Sequence, residues 1–135
     1  MNPLPDAANQ GDLKLVSDLL GVPHPQYDMD LALARACCSG FFDVAQALID
    51  AGADPNGQYS PDGTFEYGPI ILASCELLRA DGIKFLLSNG ADPRGNSSDS
   101  NFPQCHSPLE MIAASYSKGE EKKAACLELL KAAGA

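Results

Sequence analysis

The side chains in this chain best suited to covalent or metal chemistry are five cysteines, two histidines and a few carboxylates. Cys105 and His106 are sequence neighbours, so their side chains diverge, and no third group at a recognisable spacing orients the histidine as a general base requires. A surface thiol without a role is the simpler reading of Cys105. Cys37, Cys38, Cys75, Cys105 and Cys126 are odd in number and never spaced Cys-x-x-Cys. That pattern indicates neither a disulfide framework nor zinc, and reads as small buried thiols in a reducing compartment. A zinc site would need Cys105 and a histidine plus distant ligands. His24, between Pro23 and Pro25, reads as a rigid loop residue. Glu76 and Glu110 lie on helical segments and could form an acidic pair, but solvated helix-face carboxylates are commoner. No glycine-rich phosphate loop follows a strand. The expectation is therefore no catalytic residue, no metal and no cofactor.

What positions these residues is a repeated helical pattern. Gly-Ala-Asp-Pro occurs at Gly52 to Pro55 and again at Gly90 to Pro93, each time after an amphipathic run ending in two aliphatic residues, Leu48-Ile49 and Leu86-Leu87. A third run closes the chain at Leu129-Leu130 and Gly134. Glycine at each stop accepts a left-handed turn that strains any residue with a Cβ, and Asp-Pro cannot continue the helix. Upstream of each run lies a helical segment rich in small residues. Gly68-Pro69-Ile70 and Ser107-Pro108-Leu109 are predicted to open two of these helices with proline in the first turn, with Ser107 as N-cap. Leu31 to Gly40 and Asp6 to Gly11 are the corresponding stretches earlier in the chain. Small residues there allow helix pairs to stack closely.

The bulk composition agrees with one domain spanning 1–135: 45% hydrophobic residues but only 7% aromatic, a core of small aliphatic side chains. No run reaches the roughly 18 apolar residues of a membrane span, and Met1 to Asp6 lacks signal-peptide character, so a cytoplasmic location is expected. Charge is unevenly spread. Residues 1–30 set Asp6, Asp12, Asp18, Asp28 and Asp30 against Lys14, and residues 31–68 set Asp43, Asp50, Asp54, Asp62 and Glu66 against Arg35, a net −4 in each. The remainder contributes only −1 of the total −9. Such a surface repels nucleic acid and anionic lipid and steers a basic protein toward it; solubility alone is the competing reading.

These features together resemble the ankyrin repeat family. The residues that carry the resemblance are Gly68-Pro69-Ile70, Ser107-Pro108-Leu109, Ala113-Ala114, Gly11, Gly40, Leu48-Ile49, Leu86-Leu87 and both Gly-Ala-Asp triplets, at a period near 33 residues. The resemblance implies an all-α solenoid of four stacked helix-turn-helix units, approximately 1–26, 27–64, 65–103 and 104–135, with extended finger loops. It also implies that proteins bind the concave face formed by first helices and fingers. Departures are informative. Successive stops are 38 and 44 residues apart, which places insertions at Asn56 to Gly68, Arg94 to Ser107 and Tyr116 to Lys123, one extra residue near Leu78, and a shortened loop at Gly21 to Asp30. The histidine usual after the first-helix leucine is replaced by Ala34, Ile71 and Glu110.

The longest loops are where function is expected. Gly57 to Tyr67 contains the turn signal Pro61-Asp62-Gly63 flanked by Tyr59, Phe65 and Tyr67, which reads as a two-stranded finger displaying aromatics. Tyr and Phe are typical interface anchors, although the same rings could pack beneath their own loop. The second loop carries Asp99 and Phe102. The expected function is non-catalytic protein binding by a monomer, with Tyr59, Phe65, Tyr67 and Phe102 as anchors and Asp28, Asp30, Asp62, Glu66 and Asp99 supplying charge toward a basic or mixed-charge partner. An inhibitor or immunity protein against a bacterial toxin is the more specific form of that reading. The alternative is a small hydrolase or metal-dependent enzyme on a degenerate repeat scaffold.

Overall fold

A computed structural model describes residues 2–59, 68–94, 108–113 and 119–134. It is all-α apart from one short ribbon. The helices are α1 (Leu4–Gln10), α2 (Leu13–Leu19), α3 (Gln26–Ser39), α4 (Phe42–Asp50), α5 (Ile71–Glu76), α6 (Ala80–Ser88), α7 (Pro108–Ala113) and α8 (Glu120–Ala132); β1 (Gln58–Tyr59) and β2 (Gly68–Pro69) pair between α4 and α5. Consecutive helices pack as pairs, α1 with α2, α3 with α4, α5 with α6 and α7 with α8. The first member of each pair packs on the first member of the next, α1 on α3, α3 on α5 and α5 on α7, so the pairs stand in file. One apolar cluster runs through the file from Leu4 to Leu130.

The turn within each pair fixes the register. Gly11 (φ 72°) and Gly40 (φ 82°) adopt the left-handed conformation after α1 and α3, and the next residue's N–H returns to the preceding helix: Asp12 N to Ala7 O at 3.2 Å and Phe41 N to Ala36 O at 2.9 Å. This closes the orphan carbonyls of the helix end. After α5 the same bond runs from Arg79 N to Ser74 O at 2.9 Å, and the left-handed residue is Leu78, φ 53°. No extra residue is therefore present near Leu78. Gly40 to Gly52 and Leu78 to Gly90 are each twelve residues apart, and the added length between these pairs lies wholly in the loop after α4.

This register also corrects the start of the third pair. Seven residues before the turn stand Leu4, Leu33 and Ile71, all buried. The position after them is filled by Pro5, Ala34 and Leu72, so Leu72 rather than Ile71 occupies the slot compared with histidine above. α5 begins at Ile71, not at Pro69: Gly68 and Pro69 form β2, with Tyr59 opposite Gly68 and Gln58 opposite Pro69 in an antiparallel register. A proline without an N–H suits the end of a ribbon as well as the first turn of a helix. At the other end of the second pair, the segment expected as a shortened loop is partly helix. α3 starts at Gln26, so Asp28 and Asp30 lie on its first turns.

The second helices stop as expected. Gly52, Gly90 and Gly134 have φ of 117°, 96° and 104°, and the following Ala53 and Ala91 N–H groups return to Leu48 O and Leu86 O at 2.9 and 3.0 Å. Five residues past the turn, Val16, Ala45 and Ile83 are fully buried, so each second helix puts the same face inward. α6 comes close to its neighbours through Gly82, where a Cβ would lie 2.8 Å from Ser74 Oγ and 3.1 Å from Cys37 O. Ser74 Oγ is buried at this crossing without a hydrogen-bond partner among the described residues.

Candidate functional site

The finger expected to carry the aromatics is closed at its root. Ile70 N donates to Gly57 O at 3.0 Å, and the ribbon of β1 with β2 follows. Tyr59 is placed by its backbone as the last residue of β1. Asp62, Phe65, Glu66 and Tyr67, together with Asp99 and Phe102 of the second long loop, lie outside the described residues, as do Cys105, His106 and Ser107.

Asp28 and Asp30 are described, and they differ. Asp28 is half-buried on the first turn of α3 and accepts a hydrogen bond from Asn2 Nδ2 at 3.2 Å. Asp30, expected on the partner-facing surface, is 5% exposed. Its Oδ1 accepts from Asp54 N at 2.8 Å and from Gln26 Nε2 at 2.9 Å. Burial raises its carboxyl pKa, and the neighbouring Asp54 adds to the rise, against the lowering effect of the two hydrogen bonds. Its other oxygen packs against Gly57, where a Cβ would collide with the carboxylate. The carboxylate is thus consumed in holding the loop that leads to the finger. The sequence showed neither its helical placement one turn after Gln26 nor the partner backbone 24 residues away.

Asp30 and Gln26 belong to a loop-to-loop clip that recurs in a different form. Gln26 Nε2 also donates to Gly52 O at 3.0 Å, so this pair satisfies Gly52 O and Asp54 N. One step along the file the equivalent groups are Gly90 O and Asp92 N. Asn56 alone serves both, donating from Nδ2 at 3.0 Å and accepting at Oδ1 at 2.6 Å. A side-chain amide presents both donor and acceptor, which is why one residue suffices. Asn56 is in turn held by its own N–H on Asp54 Oδ1 at 2.9 Å. The clips set the spacing of successive loop bases on the edge from which the finger emerges.

The remaining candidates for chemistry are placed as structure. His24 Nε2 donates to Leu19 O at 2.6 Å, and its Nδ1 accepts from Asn2 Nδ2 at 3.0 Å, so the ring caps the end of α2. Cys37 and Cys75 are buried free thiols, pushed up to about 12 chiefly by desolvation, and burial likewise raises Cys126. Thiols so perturbed are poor nucleophiles at neutral pH. A cleft of about 660 Å3 lies between the α5–α6 turn and α8, lined by Cys38, Leu77, Arg79, Asp81 and Glu121 among others. Arg79 and Asp81 there form an ion pair at 3.2 Å. Among the described residues no group of three or more His, Cys, Asp or Glu is arranged to hold a metal ion, and no helix is long and apolar enough to cross a membrane.

No protein-family model matches the chain, and no curated protein matches it. The functional reading therefore rests on the residues themselves.

Proposed function

We propose that this chain is a non-catalytic protein-binding module: an ankyrin-type solenoid of four helix pairs that engages a basic or mixed-charge protein through its concave face and finger loops. The observation that carries the reading is the clipped row of loop bases. Gln26 with Asp30, and then Asn56, bond the backbone of the next loop, and the ribbon of β1 with β2 holds the root of the finger. A loop anchored this firmly at its root presents its tip with less ordering cost on binding. The tip sequence offers Tyr59, Phe65 and Tyr67 as anchors beside Asp62 and Glu66, with Asp99 and Phe102 on the neighbouring loop and Asp28 at the edge. A monomer acting in the cytoplasm as an inhibitor or immunity protein against a toxin suits the acidity of the first half.

The test compares affinity capture from native lysate by the wild-type chain and by a variant carrying Tyr59→Ala, Phe65→Ala and Tyr67→Ala, with mass spectrometry as readout. The variant keeps wild-type helicity and melting and loses the retained partner. Undiminished retention by the variant, or no specific retention by either chain, defeats the reading.

A further inference from the structure

Three departures from the repeat meet at the cleft between the α5–α6 turn and α8. The residue before the turn is polar in the first two pairs, Gln10 and Ser39, and Ser39 Oγ donates to Asn9 Oδ1 at 3.1 Å. In the third pair it is Leu77, 58% exposed. The turn that follows is made by Leu78 at φ 53° rather than by glycine. The facing helix is also lengthened. Val44, Gly82 and Cys126 are buried, and each stands eight residues before a glycine stop. α4 and α6 begin two residues before this position, at Phe42 and Ala80, but α8 begins six before it, at Glu120. The added residues, roughly one helical turn, include Glu121 and Lys122, which line the cleft of about 660 Å3 together with Leu77.

We propose that this cleft binds an apolar group that ends in a carboxylate, as a free organic acid or as the C-terminal residue of a peptide. Leu77, Ala80 and Ala125 supply apolar surface for the body of the ligand, and the volume falls within the range of about 300–1,000 Å3 found for small-ligand sites. The polar groups select an anion. Arg79 Nη2 donates to Asp81 Oδ2 at 3.3 Å, but Nε, 3.2 Å from Oδ1, is buried and makes no hydrogen bond among the described residues. Asp81 Oδ1 instead accepts from Gly82 N at 2.9 Å. A buried donor left unmet calls for an acceptor. Glu121 and Lys122 both lie in the first turn of α8, where the helix dipole offsets a negative charge and adds to a positive one. Lys122 makes no ion pair among the described residues, so the uncompensated charge at the rim is positive. The cleft shares no residue with the finger or its clips, and therefore stands apart from the proposed function.

The probes are N-acetylphenylalanine, its amide, phenethylamine, and a short glycine peptide ending in phenylalanine with a free or an amidated terminus. Amide shifts in NMR measure affinity and locate the contact. The acid should saturate with shifts centred on residues 77–81 and 121–125, and the amine should not bind there. Amidation should weaken binding about tenfold or more, as loss of a hydrogen bond to a charged group does. Leu77→Ser and Lys122→Gln, both at exposed positions, should keep wild-type melting and each weaken the acid about fivefold, and Lys122→Gln should also flatten its salt dependence. The triple finger variant should bind as wild type. A peptide acid that binds tighter than the free acid assigns the cleft to a protein C-terminus, and equal affinity assigns it to a small acid. Equal affinity for acid, amide and amine, shifts centred elsewhere, no saturable shift at about 1 mM, or unchanged affinity in either variant overturns the proposal.

Discussion

Replacing Asp30 separates its hydrogen bonds from its charge. Both described bonds, from Asp54 N and Gln26 Nε2, end on Oδ1. Asp30→Asn keeps a carbonyl oxygen in that position and removes a buried charge. Asp30→Ala removes the acceptor and leaves the Asp54 N–H to find another, a loss of about 1–3 kcal/mol for an unsatisfied buried donor. At pH 7 the asparagine variant should therefore lie within about 0.5 kcal/mol of wild type or above it, and the alanine variant well below. The pH dependence has a definite sign. Burial raises the carboxyl above its ordinary value of 3.8, so between the two values the folded chain holds more proton than the unfolded one. Stability from this group is thus greatest at low pH and falls as pH rises through the raised value. Any advantage of Asp30→Asn over wild type should be largest at neutral pH and shrink toward about pH 4. Urea titrations of the three chains at several pH values provide the measurement. An asparagine variant as unstable as the alanine one at pH 7, or an advantage that grows on acidification, would refute the argument.

The thiols and Leu78 give two further predictions. Cys37 and Cys75, held near 12 against an ordinary 9.0, should resist Ellman's reagent in the native chain at pH 8 and react on unfolding; because the unfolded thiols ionise first, the fold should lose stability as pH rises above 9. Labelling of either thiol in the native chain at the unfolded rate contradicts the burial. Leu78→Gly relieves a left-handed strain of about 1–2 kcal/mol but deletes a buried side chain whose loss costs about 3–5 kcal/mol, for a net loss of about 1–4 kcal/mol. A more stable glycine variant in urea would show that strain, not packing, governs this turn.

Much of the helical frame was legible because glycine stops and small-residue helices are dictated by local sterics. Gly11, Gly40, Gly52, Gly90 and Gly134 all adopt positive φ, and no neighbour is needed to expect it. Leu78 was not legible: a branched side chain in the left-handed region is disfavoured locally, and only its burial, 4% exposed, explains its place there. With no glycine to mark the turn, the sequence register slipped by one residue and an insertion was placed where none exists. Asp30 was misplaced for a related reason. An aspartate near a helix start reads as surface charge, and its burial depends on Asp54 N, which sequence proximity does not bring near. The finger's aromatic tip remains an expectation from composition, since residues 60–67 are outside those described.

The intervals between turns explain how such a frame accommodates loops of different length. Gly11 and Gly40 are 29 residues apart, Gly40 and Leu78 are 38, yet Leu4, Leu33 and Ile71 are buried alike. The added residues therefore do not disturb the packing of the helix pairs. Entropy permits this, because doubling a loop costs only about 0.6 kcal/mol in closure. Entropy alone would also leave the loop base free to wander, and here the side-chain clips intervene. Gly57 O receives Ile70 N across the root of the long loop, while Asn56 ties the same root to Gly90 and Asp92. Whatever is inserted beyond Tyr59 leaves from and returns to a base that the helices have already fixed. Length and composition of the loop can then change without cost to the core, which is how a surface loop varies on a constant frame.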